Sequence, residues 1–452
     1  MAALNVWMNG ELVGEWATLR GGTPVFKYAR SWVASARARA LSLSLPMTAD
    51  LELRGAPVDN FFDNLLPDNA AIRRRIRERF RTDSSSTFDL LTAIGRDCVG
   101  AVQLLPPGET PEGWKRVDAE MLTEEGVEDT LRAVTRSTPI GRDEEPEFRI
   151  SLAGAQEKTA LLGMAGKWFR PLNATPTTHI LKLPLGVIGG FRGDFSDSVE
   201  NEWLCGRILR ALDLPVADSA MATFGEQRVL VVTRFDRRWI GVADGAEQRK
   251  RFTPKAGTWI ARLPQEDFCQ ATGRPANAKY EADGGPSMSE CLGILATSVD
   301  PVRDRTTFVL AQLSFWLLAA TDGHAKNFSL RHEAGGAFAM TPLYDVLSAW
   351  PIIGHGKKQL PIEKARLAMS VRGKSAHYRL NEIQPRHWRT LAENTGLPEI
   401  RNAMQALVEN IGPVIDAVEA ELPTGFPERV FKTIRDGVRR QVRRFLAGAR
   451  AS

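Results

Sequence analysis

The sequence predicts an α+β protein with a β-rich N-terminal subdomain, a strand-bearing middle segment and a mostly α-helical C-terminal lobe. Three observations carry this. Short alternating or β-branched runs bounded by turn residues dominate the first half, as at Thr177–Pro184 and Arg228–Trp239. From Pro264 onward the apolar period is helical almost throughout. At 452 residues, with 43% hydrophobic and 25% charged residues, the chain has the balance of an ordinary globular protein. That length suits roughly two to three domains with sizeable cores.

Residues 1–105 open with a hairpin predicted around Asn9-Gly10, the dipeptide that tolerates two successive positive φ angles. Leu41–Leu45 alternates like a strand, and the segments around Asn69–Phe80 and Phe88–Ile94 read as helices. Residues 106–146 read as a helical linker region: Pro106–Gly113 is a loop by composition, a helix is predicted near Asp118–Arg136, and Pro139–Pro146 is a second loop. Residues 147–240 hold the strands. Phe148–Leu162 reads as strand, small-residue turn, strand, followed by the Thr177–Pro184 and Arg228–Trp239 strands. Gly186–Ser198, with Phe191 and Phe195, reads as a mobile loop, and Ser198–Asp213 as a helix. Residues 241–452 form the predicted helical lobe, beginning with a charged, glycine-rich excursion at Gly241–Gly257 and interrupted by strands flanking Phe338 and Leu343. Phe308–Ala320 is a core helix, too short and too interrupted by Gln312 and Ser314 to span a bilayer. No internal repeat is present.

Composition excludes several classes. Cys98, Cys205, Cys269 and Cys291 show no C-x-x-C spacing, and the six histidines form no pair with metal-ligand spacing. A thiol–metal site or a disulfide framework is therefore not expected, which fits a reducing cytoplasm. No signal-peptide apolar region opens the chain, and neither membrane insertion nor export is expected. The net charge of +5 permits an acidic partner. Two arginine clusters exceed the average: Arg73, Arg74, Arg75, Arg77, Arg79 and Arg81, and on the last helix Lys432, Arg435, Arg439, Arg440, Arg443 and Arg444. Solvated helix faces account for each more simply than nucleic acid does.

The chemistry is concentrated in Ala320–Phe328 and Pro342–Asp345. Asp322 and Asn327 are separated by four residues, and Asp345 follows after the next strands. This is the order in which a phosphotransferase sets a base, an amide ligand and a carboxylate ligand around Mg²⁺. Alone, each of these residues is more often a turn Asp or a cap. Upstream, Ala153, Gly154, Ala155, Gln156, Glu157 and Lys158 form a small-residue turn whose backbone N–H groups can approach phosphate. It is not a Walker A loop, because Glu157 precedes Lys158 and Leu152 stands where the first Gly belongs. Lys182 on the next strand is placed to hold α- and β-phosphates, with Glu202 as its candidate partner, and Thr233, Arg234 and Phe235 fall where a hinge would read adenine. Loop, lysine, hinge and Asp/Asn/Asp set occur in kinase order, which predicts a protein-kinase-like bilobal fold.

On these residues the sequence resembles the HipA-type serine/threonine kinase toxins. The likeness runs through Trp7–Gly10, Leu41–Pro46, Asn60–Asp68, Ile94–Val102, Ser151–Lys158, Leu263–Asp267, Thr321–Asn327 and Tyr344-Asp345. The resemblance implies a bacterial toxin–antitoxin kinase using ATP and Mg²⁺ that phosphorylates an aminoacyl-tRNA synthetase, glutamate-tRNA ligase being the best match, and so slows translation. It implies Asp322 as catalytic base, Asn327 and Asp345 as metal ligands, and Lys182 as the ATP-phosphate lysine. It also implies Ala153 to Lys158 as phosphate loop, Thr233 to Phe235 as hinge, and His324, Lys326 and Tyr344 as further nucleotide-site residues. Thr233 stands where the family hinge begins with Glu, which leaves adenine recognition to the backbone. Ser151 matches the self-phosphorylated serine of the family, and the partner implied is a small dimeric helix-turn-helix antitoxin, HipB-like, through which operator DNA is mainly bound. Two alternatives stay open: a catalytically silent corepressor, and a small-molecule kinase on the same fold.

Overall fold

Two residues of positive φ, Asn9 at 46° and Gly10 at 81°, close the first hairpin, so that Met8 faces Glu11 across strands Ala3–Met8 and Glu11–Thr18. The computed structural model describes residues 2–19, 21–135, 151–188 and 193–450. They fall into two compact units. Unit 1 comprises Met1–Leu183, Ala222–Asn277 and Ser329–Phe338, and unit 2 comprises Pro184–Met221, Ala278–Phe328 and Ala339–Ser452. Positions 105, 146 and 240 all fall within the ranges of unit 1, and strands on either side of 146 and of 240 pair with one another.

Unit 1 contains a five-stranded antiparallel sheet in the order Glu52–Arg54, Pro24–Tyr28, Glu11–Thr18, Ala3–Met8, Gln103–Leu105. Its apolar face is sealed by helices Ala56–Asp63 and Thr87–Ile94, with Trp16 stacked on Phe62 at 4.0 Å between ring centroids. Leu41–Leu45, expected as a strand, is instead a tight turn bridged from Ser42 to Leu45. Leu41 and Leu45 are buried, but the Ser42 hydroxyl and the Leu43 N–H, at 2.9 Å, are taken by the buried Glu266 carboxylate. Side-chain acceptors replace the ladder an alternating pattern would otherwise require.

A second sheet of six strands runs in the order Ser219–Phe224, Gln227–Thr233, His179–Lys182, Lys158–Met164, Lys167–Pro171, Ala119–Leu122. The region expected as a helical linker is thus part of the sheet. Ala119–Leu122 forms its edge, and the helix is confined to Glu124–Val134, started by the Thr123 side chain capping the Gly126 N–H. Val127 and Leu131 of this helix pack on Leu161, Leu181, Val229 and Val231, which project from one face of the sheet. The Pro139–Pro146 loop and the strand expected from Phe148 to Ile150 lie outside the described residues.

Five buried charges join the two sheets. Arg234 grips Asp236 with two bonds (3.0 and 2.7 Å), Arg237 and Arg262 reach one Asp97 oxygen at 2.9 and 3.1 Å, and Thr177 donates to the other. Burial alone would raise the Asp97 carboxyl, but the guanidinium groups of Arg237, Arg262 and Arg234 outweigh it and hold it far below the usual carboxylate range.

Unit 2 is built around helix Pro301–Leu318, longer at its start than expected because Asp300 caps it and Pro301 occupies its first turn. The helices Pro398–Ala420 and Glu428–Arg450 pack on it. The lobe is less purely helical than the periodicity suggests. Arg366–Arg372 and Ala376–Arg379 form a hairpin, and Leu343 makes only an isolated bridge to Val216 rather than a strand. Strands Gly186–Ile188 and Gly193–Phe195 pair where a mobile loop was expected, with 189–192 outside the described residues.

Candidate active site

In unit 2 the site begins where the central helix stops. Ala319 takes a left-handed conformation at φ 50°, and the Ala320 N–H returns to the Phe315 carbonyl at 2.8 Å, so the chain leaves the helix sharply. Gly323 then passes over the Phe315 ring, where a Cβ would stand only 2.2 Å from ring carbon. The turn is tied from within. The Asp322 carbonyl accepts from the His324 N–H at 2.8 Å and from the Asn327 side-chain amide at 2.7 Å. Because that amide nitrogen serves the loop, its oxygen is turned away from Asp322 and kept as a hard donor.

The Asp322 carboxylate itself is 57% exposed, while His324, Lys326 and Asn327 around it are buried. The Tyr280 hydroxyl donates to its Oδ1, and His324 Nε2 lies 3.7 Å away. Tyr280 and His324 meet edge to face at 5.1 Å. Tyr280 was not foreseen. It lies in an irregular segment between short turns, Ala276–Ala278 and Glu281–Asp283, where no periodicity or motif marks it.

Asp345 is placed by separate restraints. The Tyr344 hydroxyl donates to the Lys326 carbonyl at 2.9 Å, and Leu343 is paired on both sides with Pro215 and Ala217. Downstream, the Ser348 hydroxyl reaches Leu318 and the Ala349 N–H reaches Ala319, at 2.5 and 2.9 Å. The loops carrying Asp322 and Asp345 are therefore one hydrogen-bonded assembly built on one helix end. Asp345 sits at φ 58°, a left-handed conformation that an L-residue adopts at a cost of roughly 1 kcal/mol or more.

In unit 1 the loop expected to cradle phosphate is docked on the N-terminal subdomain. The fully buried Ser151 hydroxyl donates to the Leu65 carbonyl at 2.8 Å, and its N–H to Asp97 at 3.1 Å. Gly154, at φ 104°, bridges Pro67 and accepts from the Asp68 N–H, while Glu157 pairs with Arg75. Gln156 donates to the Leu183 carbonyl at 2.7 Å. Lys158 already belongs to the strand and stands directly opposite Lys182. Both side chains occupy the same face of the sheet, opposite to that covered by helix Glu124–Val134. Arg75 and Asp97 were not legible as parts of this loop, because their partners lie far along the chain.

The expected hinge is divided. Arg234 spends its side chain on the buried charge cluster, its N–H on the Thr178 carbonyl (2.9 Å) and its C=O on Arg237. The Arg234 side chain, N–H and C=O are thus all engaged within the protein. By strand alternation the backbone groups of Thr233 point the opposite way, and Phe235 lies in the turn that follows the strand.

Among the described residues no group of three or more His, Cys, Asp or Glu forms a metal cage. The Asn327 and Asp345 oxygens fit Mg²⁺ nonetheless, since that ion keeps waters and takes substrate phosphates alongside one or two protein oxygens.

A family model described as the HipA-like C-terminal domain matches residues 150–417, and one described as the HipA N-terminal domain matches residues 4–105. The chain is 32% identical over 424 residues to Y4mE of Sinorhizobium fredii, named provisionally as a kinase, covering 92% of this chain and 91% of that one. It is 27% identical over 347 residues to the serine/threonine-protein kinase toxin HipA of Shewanella oneidensis, covering 71% and 69%. In structure it is similar to the HipA of Shewanella oneidensis MR-1 solved with HipB and operator DNA, with a TM-score of 0.77 at 22% identity over 98% of this chain and 97% of that one. That likeness shows an α+β, kinase-like fold.

Proposed function

The chain belongs to the HipA family, and from that premise we propose that it is an ATP- and Mg²⁺-dependent serine/threonine protein kinase, the toxin of a bacterial toxin–antitoxin pair. The observation that carries the reading is the Asp322 turn, in which the Asn327 amide fixes the loop, Asp322 stays open to solvent and Asp345 is held on the same helix end. Asp322 orients the substrate hydroxyl and takes its proton as the hydroxyl oxygen bonds to the γ-phosphorus and the bond to ADP breaks. Asn327 and Asp345 hold Mg²⁺, which neutralises charge on the triphosphate. Lys158 and Lys182 attract the phosphates, loop Ala153 to Lys158 encloses them, and the Thr233 and Phe235 backbone reads adenine. His324, Lys326 and Tyr344 keep the loop in shape.

The protein substrate is proposed to be an aminoacyl-tRNA synthetase, glutamate-tRNA ligase first, and the setting the cytoplasm. No helix among the described residues is long and apolar enough to cross a membrane. The Shewanella complex with HipB and operator DNA supports a helix-turn-helix antitoxin as partner, with DNA bound mainly through it. Ser151 is proposed as the self-inactivating phosphorylation site. Its hydroxyl is wholly enclosed against Leu65, so a phosphate, with its roughly two negative charges, cannot return to that place. A phosphorylated loop would stay out of the position that binds nucleotide. A silent corepressor is disfavoured by the presence of Lys182, Asp322, Asn327 and Asp345 together. The test is transfer from labelled ATP to the tRNA-bound ligase with purified protein and Mg²⁺. Transfer that chelation stops supports the reading, and transfer to small metabolites alone contradicts it.

A further inference from the structure

The last helix, Glu428–Arg450, carries two kinds of cation. Arg429, Lys432, Arg435 and Arg439 each face a carboxylate, respectively Asp197 at 2.7 Å, Glu428 at 2.6 Å, Asp436 at 3.0 Å and Asp416 at 2.6 Å. Arg440 and Arg444, one turn apart, face no carboxylate among the described residues. They line a cavity of about 390 Å³ in unit 2, with Trp350, Ile353, His355, Ile362, Leu380 and Asn381 among its walls and no Asp or Glu.

Both guanidinium groups are fixed. Arg440 lies over the Trp350 ring at 5.0 Å, and that indole is anchored by its Nε1, which donates to the Leu317 carbonyl at 2.9 Å. Gly437 lets the helix settle on the indole, since a Cβ there would stand 2.3 Å from it. Arg444 donates to the Leu380 carbonyl at 2.9 Å and to that of Asn381. Burial lowers its affinity for a proton, as expected of a cation offered only carbonyl dipoles. His355, in the cavity wall, is exposed to solvent. A planar fork stacked on an aromatic ring and a second fork one turn away suit the several acceptor oxygens of a phosphate, more than a carboxylate would use. The cavity is larger than a phosphate, and its apolar walls leave room for whatever carries one.

We propose that this cavity is a phosphate-binding site, taking either a free phosphorylated ligand of nucleotide size or a phosphate of a nucleic-acid backbone. The site is separate from the Asp322 assembly and does not depend on the kinase reading. The test is isothermal titration of the full chain, in a Lys182→Ala background that removes the proposed nucleotide lysine, with AMP and with a mixed-sequence DNA duplex at physiological salt. At least one probe is expected to bind, and Arg440→Gln to weaken it by about tenfold or more, with Arg440→Lys partly restoring it. Dependence of AMP binding alone identifies a free ligand, and dependence of duplex binding identifies a nucleic-acid source. The exposed wall change His355→Glu is expected to weaken the same probe without touching the helix. Absence of binding by both probes, or binding that neither Arg440→Gln nor His355→Glu alters, overturns the proposal.

Discussion

Asp322 and Gly323 are neighbours with opposite physical burdens. The Asp322 side chain is mostly in water, so Asp322→Ala is expected to leave stability within about 0.5 kcal/mol while lowering phosphoryl transfer by about 10²-fold or more. Gly323→Ala drives a Cβ into the Phe315 ring and is expected to cost roughly 1–3 kcal/mol as well as activity. Thermal unfolding and a transfer assay on the two variants separate the roles. If Asp322→Ala transfers like the parent protein, the base assignment is wrong. His179 gives a pH signature. Burial pushes its imidazole down to about 4, below the about 6.5 of an unfolded chain, so the unfolded state takes the proton first. Its contribution is full above about pH 6.5 and is lost as pH falls toward 4, at up to about 1.4 kcal/mol per pH unit. His179→Gln should flatten that acid arm of the stability curve, and an unchanged arm would assign the loss to other groups.

Among the elements, the loop proposed to hold phosphate rests on distant partners. Arg75→Ala removes the ion pair to Glu157 and is expected to loosen the loop and speed phosphate incorporation at Ser151, read by mass spectrometry of protein incubated with Mg²⁺ and ATP. Incorporation no faster than in the parent would show that Arg75 does not restrain the loop. Asp97→Ala leaves three guanidinium groups short of a buried counter-charge and is expected to cost about 3–5 kcal/mol in denaturant unfolding. The elements differed in how far the sequence revealed them. The Asn9-Gly10 hairpin, the Ala70–Phe80 helix and the helix ending before Asp322 were legible, because turn chemistry and helical period are local. The Ser42–Leu45 turn and the Ala119–Leu122 edge strand were not, since Glu266 and Lys167–Pro171 decide them from far along the chain. In the candidate site, spacing singled out Asp322, Asn327 and Asp345, whose two loops the structure builds on one helix end. Nothing marked Tyr280, and the order of motifs carries no sign that the Arg234 side chain turns into the buried charge cluster.

At the scale of the whole molecule the chain is basic, yet Arg429, Lys432, Arg435 and Arg439 of its last helix already face carboxylates. The isolated chain is therefore expected to bind operator DNA weakly and with strong salt dependence, and tight sequence-specific binding is expected only with its antitoxin. Tight binding by the chain alone, in a titration at physiological salt, would contradict this. The central claim concerns what the molecule does in a cell. Brief induction of the parent protein and of Asp322→Ala, followed by phosphoproteomics, measures it most directly. The account predicts one dominant new serine or threonine phosphosite in an aminoacyl-tRNA synthetase, together with Ser151 of the chain itself, both absent with Asp322→Ala. An unchanged phosphoproteome, or the same sites appearing with the variant, would contradict it.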